Sequence, residues 1–150
     1  MKKIRIIARV ITHDQEKNSI LLVRNKGTKF WYPPGGAWET DKETITQCAK
    51  REVYEETGIK VDLQRFLYAQ EFHESEETTF LELFWMAHLK DKPNVENHTD
   101  LDINGQVEEA CWFKKEELAG KKVFPKELKE RFWNDIKNLA QVNNQFLGIF

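Results

Sequence analysis

Four consecutive residues, Pro33-Pro34-Gly35-Gly36, constrain this chain more than any other feature. Proline has no amide donor for a sheet ladder, and glycine opens backbone paths closed to other residues. The short aromatic strand expected at Phe30 to Tyr32 is therefore expected to stop there and give way to a loop. Helical signals follow at once. Thr40 and Glu43 have capping-box spacing, Ile45, Ala49 and Val53 recur at four-residue steps, and Gly58 stands where a C-terminal cap belongs. Together they predict a helix over residues 41–57.

Strand signals lie on both sides of that helix. Ile4, Ile6, Ala8 and Val10 alternate with partly polar neighbours, and a polar turn from His13 to Ser19 leads into Ile20 to Val23, which predicts a hairpin. Val61 to Phe72 and Thr79 to Leu89 are rich in β-branched and aromatic residues and read as two paired strands. Val107 to Phe113 should return to the sheet, and Lys114 to Leu118 reads as a short helical turn. Pro125 is placed to open a last helix with Leu128, Phe132, Ile136 and Leu139 on one stripe. The polar stretch from Lys90 to Gly105 reads as a long surface loop, a candidate for substrate or partner contact. These elements predict an α/β fold, a mixed sheet between helices, with residues 1–150 as a single domain.

Charge narrows the set of partners. A formal net charge of −2 and a pI near 6.1 give no general attraction to nucleic acid or an anionic membrane. Met1-Lys2-Lys3 resembles the basic opening of a secretory leader, but Arg5 and Arg9 interrupt the apolar run that should follow. No stretch is long and apolar enough to span a bilayer as a helix. Cys48 and Cys111 have neither metal-knuckle spacing nor the density of a disulfide framework, so packed thiols and a cytoplasmic setting are expected. His73, His88 and His98 share no ligand spacing and argue against zinc.

The chemistry concentrates on the central helix. Glu52, Glu55 and Glu56 are related by three- and four-residue steps, which directs three carboxylates toward one groove. Such a cluster repels itself unless cations neutralise it, and hard divalent ions take oxygen ligands. Magnesium, or manganese, is the expected cofactor. Gly35 and Gly36 let the backbone approach whatever the carboxylates hold, with the Gly36 carbonyl as an additional metal ligand. Phe30, Trp31, Tyr32 and Trp38 flank this segment and could stack on a base. An aromatic residue in a strand more often packs the core, and Trp38, inside the loop, is the best exception, with Trp31 kept as a second candidate.

Gly35-Gly36, Glu43 and the run Arg51-Glu52-Val53-Tyr54-Glu55-Glu56-Thr57-Gly58-Ile59 resemble the Nudix box. From Glu43 onward every fixed position of that motif matches. Upstream, strict spacing would place Ala37 at the box glycine, which indicates a one-residue insertion around Thr40 to Lys42. The resemblance implies an α/β/α sandwich and a pyrophosphohydrolase in which Glu52 and Glu56 are the principal metal ligands. Glu55 would be a further ligand or an orienting group, and Arg51 would pair with Glu43 to hold the helix against the loop. It also implies attack by a metal-activated water, with Glu52 or Glu109 as proton acceptor and Glu108 as a weaker candidate.

Three functions compete. The first is hydrolysis of a nucleoside diphosphate derivative, a nucleotide sugar such as ADP-ribose. The second is conversion of a nucleoside triphosphate, including an oxidised one, to the monophosphate. The third is a non-catalytic module that senses a nucleotide, and the retained box carboxylates argue against it. A small-molecule nucleotide is the expected partner in each case, and a homodimer is compatible with all three.

Overall fold

The computed structural model describes residues 1–90 and 107–150. The expected Lys90–Gly105 loop and His98 lie almost wholly outside them. Nine strands form one mixed sheet in the described residues. In chain order they are β1 (Lys3–Asp14), β2 (Ser19–Asn25), β3 (Phe30–Tyr32), β4 (Gly35–Ala37), β5 (Val61–His73), β6 (Thr78–Leu89), β7 (Val107–Lys114), β8 (Lys122–Val123) and β9 (Phe146–Ile149). The spatial order is β8-β3-β2-β1-β6-β5-β9, with β4 on β1 and β7 on β2. β1 is central: it runs parallel to β6 from Lys3 opposite Thr78 to His13 opposite His88. The expected hairpin is present at His13 opposite Ile20, and β5 pairs antiparallel with β6.

Alternating side chains give the sheet two buried faces. On one, Ala8, Val10, Leu21 and Val23 meet Cys48, Ala49 and Val53 of helix α1 (Ile45–Thr57). On the other, Ile11, Tyr68, Phe84 and Met86 meet Leu128, Phe132 and Trp133 of the C-terminal region. This is the expected mixed sheet with helices on both faces.

Three local expectations are corrected. The segment after Pro34 is a strand, not a loop: Gly35 to Ala37 form β4, opposite Arg9, Ala8 and Ile7 of β1. Helix α1 starts later than residue 41, with Thr44 as its N-cap. The Thr44 hydroxyl accepts from the Gln47 amide at 3.2 Å, and the Gln47 side chain accepts from the Thr44 amide at 2.8 Å. Thr40 and Glu43 have the same spacing, but the Glu43 carboxylate is taken by Arg51 and cannot close a box. At the other end Gly58 caps as expected, with φ of 72° and its amide bonded to Tyr54 O at 2.8 Å.

The continuous helix expected after Pro125 is broken into a 3-10 turn at Lys126–Lys129, a short α2 (Arg131–Asp135) and a further 3-10 turn at Leu139–Gln141. Glu130, at φ −135° and ψ −67°, lies outside helical space, and the Trp133 indole takes the Leu128 carbonyl at 2.7 Å. Side-chain contacts override the local periodicity here. The stripe still reaches one core: Leu128 and Phe132 are buried, and Ile136 and Leu139 pack against them. Tyr68 Oη donates to Asp135 at 2.6 Å and ties α2 to the sheet.

Candidate active site

β4 is where strand and helix chemistry meet. Gly35 must lack a side chain, because a Cβ there would lie 2.2 Å from Ala8 O and 2.8 Å from Arg9 Cα. Gly36 must lack one for a different reason: its Cβ would fall 2.3 Å from Glu52 Cδ and 2.5 Å from both carboxylate oxygens. The glycine pair thus lets β4 lie against β1 and beneath the α1 carboxylates at once. The Gly35 amide donates to Glu56 Oε2 at 2.9 Å, which fixes a buried carboxylate at this junction. The Cys48 thiol faces the Gly36 and Ala37 carbonyl oxygens at 3.8 and 3.6 Å, and burial pushes its pKa up to about 12.

Arg51 organises the other carboxylates. Its guanidinium grips Glu43 through two bonds of 2.9 and 2.7 Å, the pairing implied by the sequence resemblance. It also donates to Glu52 at 2.9 Å and Glu55 at 3.0 Å. The Arg51 hydrogen bonds draw the Glu43 pKa down to about 2. Glu52 responds oppositely: burial raises its pKa against the pull of Arg51, and neighbouring Glu55 and Glu43 add to the rise. A buried carboxylate held in this state gains from a nearby cation.

A cavity of about 530 Å³ opens over this junction. Glu52 and Glu56 stand on its wall with Gly35 and Gly36, while Tyr32 and Trp38 supply aromatic surface and Arg5 and Arg9 positive charge. The Trp38 indole is oriented by a bond to Glu43 O at 2.9 Å. Trp31, expected as a stacking candidate, is instead a core residue, edge-on to Phe113 with ring centroids 4.8 Å apart. Glu55 lies with Arg51 and away from the cavity lining. Glu52 and Glu55 share Arg51 Nη1, but of the three helix carboxylates only Glu52 and Glu56 line the cavity. Among the described residues no three His, Cys, Asp or Glu side chains are gathered to hold a metal.

The late glutamates also depart from expectation. Glu109 meets Arg24 at 2.5 Å and Glu108 meets the same arginine at 3.1 Å, and neither lines the cavity. Alternation would put neighbours on opposite faces, but a register shift between Arg24 and Asn25 accompanies their shared partner. Tyr32, one of the aromatic residues expected beside the site, does line the cavity, whereas sequence reasoning missed Arg9. Arg9 stands between Ile7 and Ile11 on one face of β1, and that charge in an apolar row was the available signal.

The mixed sheet, with the Gly-Gly strand against the helix bearing Arg51, Glu52, Glu55 and Glu56, is a Nudix-type fold. The NUDIX domain family model matches residues 3–133, and the chain belongs to this family of pyrophosphohydrolases. It is 29% identical to the phosphatase NudJ of Escherichia coli K12 over 104 residues, 69% of this chain and 67% of the relative. A UDP-X diphosphatase superposes with TM-score 0.70 at 22% identity, covering 100% of this chain and 68% of that one. The MutT protein of Methanosarcina mazei Go1 does so with TM-score 0.68 at 21% identity, covering 91% and 97%. Among the described residues no helix is long and apolar enough to cross a membrane.

Proposed function

We propose that this Nudix hydrolase cleaves the diphosphate linkage of a nucleoside diphosphate derivative, a nucleotide sugar such as ADP-ribose, with Mg²⁺ or Mn²⁺ as cofactor. The observation that carries the proposal is one cavity whose wall holds two box carboxylates, Glu52 and Glu56, beside the aromatic surfaces of Tyr32 and Trp38. Its volume of about 530 Å³ suits a nucleotide-sized ligand. The name of the phosphatase relative from E. coli accords with chemistry at phosphorus.

The residues fit a hard divalent ion. Magnesium is commonly held by one or two carboxylates, with water and substrate phosphates completing its shell. Glu52 and Glu56 supply those carboxylates from the cavity wall, the absent Gly36 side chain lets the Glu52 carboxylate lie there, and the Gly36 carbonyl is the further oxygen in this reading. Bound there, the ion would neutralise the diphosphate and lower the pKa of an attacking water. The chain's own residues do the rest. Arg51 holds Glu52 and, through Glu43, anchors the start of α1. Gly35 orients Glu56. Glu52, on the cavity wall within reach of the position proposed for the ion, is the proton acceptor in this reading. Glu55 braces Arg51 as an orienting carboxylate.

The test is a panel of ADP-ribose, other nucleotide sugars, dinucleotides and nucleoside triphosphates, assayed with Mg²⁺ and with Mn²⁺. Turnover of ADP-ribose or another nucleotide sugar well above that of the triphosphates is expected. Preference for triphosphates would overturn the substrate class, and nucleotide binding with no turnover of any compound would overturn catalysis.

A further inference from the structure

Arg9 is the least expected residue in the cavity wall. It lies on the face of β1 that also carries Ile7 and Ile11, both buried and apolar. Its register neighbour on β6 is Phe84, and its ionic partner is Glu82, a carboxylate only 2% exposed. A charge pair buried among apolar residues loses much of its attraction to desolvation, and well-packed apolar side chains commonly do as well for stability. The placement of a guanidinium here therefore calls for a use that an apolar pair could not meet.

The geometry supplies one. Arg9 Nε donates to Glu82 Oε2 at 2.5 Å, and Nη1 donates to Pro33 O at 3.1 Å. The guanidinium carbon sits 5.1 Å from the centroid of the Tyr32 ring. Glu82 is itself fixed on its other oxygen by Gln70 Nε2 at 3.0 Å, and Gln70 is fully buried. A row of three side chains on β5, β6 and β1 thus ends in a guanidinium immobilised before any ligand arrives. Burial works against its charge, but the charge and hydrogen bond of Glu82 prevail and keep it protonated. Nη2 has no protein acceptor among the described residues, and Arg9 lines the cavity. Arginine presents five donors in a planar fork suited to phosphate oxygens.

Position selects the part of the ligand. Arg9 holds the carbonyl of Pro33, two residues before the Gly35 amide that binds Glu56, and it lies close enough to Glu56 to feel its charge. It therefore flanks the carboxylate wall. An anionic substrate approaching Glu52, Glu56 and Glu39 meets repulsion, and a fixed cation in the same cavity wall offsets it.

We propose that Arg9 is a substrate-binding residue that grips a non-bridging phosphoryl oxygen of the diphosphate, with Glu82 and Gln70 as its positioning residues. This rests on the diphosphate hydrolysis proposed above. The fixed guanidinium gives the cavity a second phosphate contact, independent of the metal-binding carboxylates.

The experiment uses the full chain as wild type, Arg9→Met, Arg9→Lys and Glu82→Gln. Calorimetric titration with inorganic diphosphate in Mg²⁺ is combined with kcat and KM for ADP-ribose and with the melting temperature. Arg9→Met should weaken diphosphate binding and raise KM by at least tenfold. Arg9→Lys, which keeps the charge and loses the fork, should show at least a threefold change in the same direction. It also carries the test if Arg9→Met does not fold. Glu82→Gln keeps the volume and an acceptor for Nε, and the Gln70 amide can turn to match it; a smaller rise in KM with kcat nearly unchanged is expected. Folded Arg9 variants with diphosphate affinity and KM within twofold of wild type overturn the proposal, as does a fall in melting temperature and kcat with both constants unmoved. A raised KM with unchanged diphosphate affinity places Arg9 on the nucleoside or sugar and overturns the phosphoryl assignment. Wild-type protein that neither binds diphosphate nor turns over any diphosphate compound removes the underlying reading as well, whereas wild-type turnover with indifferent Arg9 variants removes only this inference.

Discussion

Gly36 lies so close beneath Glu52 that a Cβ at that position would stand 2.3 Å from the carboxylate carbon. The first prediction follows from what would have to move. In Gly36→Ala the obstacle is the far end of a side chain, so Glu52 can swing away at modest cost to the fold. In Gly35→Ala the obstacle is Ala8 O at 2.2 Å, a backbone atom in a central strand. Gly36→Ala should lose at least tenfold in kcat with a melting temperature within a few degrees of wild type. Gly35→Ala should lose about 1–3 kcal/mol of stability, as overpacked sites commonly do. Paired thermal melts and kinetics check this, and equal destabilisation by the two alanines would contradict it.

A second prediction concerns Glu56, buried and bonded to the Gly35 amide. Glu56→Gln keeps the volume and an acceptor for that amide but removes one negative charge from the cavity. The fold should persist while kcat falls by orders of magnitude. Chelation of the wild-type enzyme should abolish turnover, and added Mg²⁺ or Mn²⁺ should restore it. A folded Glu56→Gln enzyme with near-normal turnover would show that the carboxylate is not in the metal site.

The Arg51–Glu43 pair makes the third prediction, which concerns acid stability. Glu43 has a folded-state pKa of about 2, drawn below its ordinary value of 4.5 by Arg51. A depressed carboxylate pKa contributes stability that is fully present above the unfolded value and is lost as pH falls through the folded one. The contribution should therefore be complete above about pH 5.5 and decline toward pH 2. Glu43→Gln should cost about 1.5–3 kcal/mol at neutral pH, the range for hydrogen bonds to charged groups. That corresponds to a drop in melting temperature of roughly 3–12 °C for a chain of this size. The gap between variant and wild type should shrink as pH is lowered, and a gap that is constant with pH would refute the assignment.

What the sequence revealed was mostly what neighbouring residues determine among themselves. The Gly58 cap, the β1–β2 hairpin and the β5–β6 pair follow from local patterns, whereas the Arg51–Glu43 link came from the resemblance to the Nudix box. The start of α1 was set too early because Thr40 with Glu43 satisfies capping-box spacing, while the structure closes its box with Thr44 and Gln47 at the same spacing. Only the capture of Glu43 by Arg51 decides between them. β4 was hidden because the value of Gly35 and Gly36 depends on two distant partners, β1 and Glu52. The Arg9–Glu82–Gln70 row joins three strands, and no local pattern encodes it. Helical spacing puts Glu52, Glu55 and Glu56 near one another, but spacing alone does not tell their partners. Arg51 Nη1 holds Glu52 and Glu55, the Gly35 amide holds Glu56, and only Glu52 and Glu56 line the cavity.

The final prediction separates Glu52 from Glu109 as proton acceptor. A general base needs hydrogen-bond access to the attacking water, and Glu52 stands on the cavity wall whereas Glu109 is held by Arg24 at 2.5 Å. Glu109 is partly exposed, and its pairing with Arg24 sits at the β2–β7 ladder beside Trp31, over whose ring the Arg24 guanidinium lies at 5.8 Å. In the proposed reading it supports the strand pair. Glu109→Gln keeps an acceptor for Arg24 and should change kcat less than threefold, with the acidic limb of the pH profile intact. Glu108→Gln should behave alike, since its 3.1 Å contact ends on the same arginine. Glu52→Gln should lose most of its rate and the acidic limb with it. The measurement is kcat against pH for all three variants in saturating Mg²⁺. Loss of the acidic limb in Glu109→Gln alone would mean that Glu109 leaves Arg24 and enters the cavity during turnover, and the assignment of Glu52 would fall.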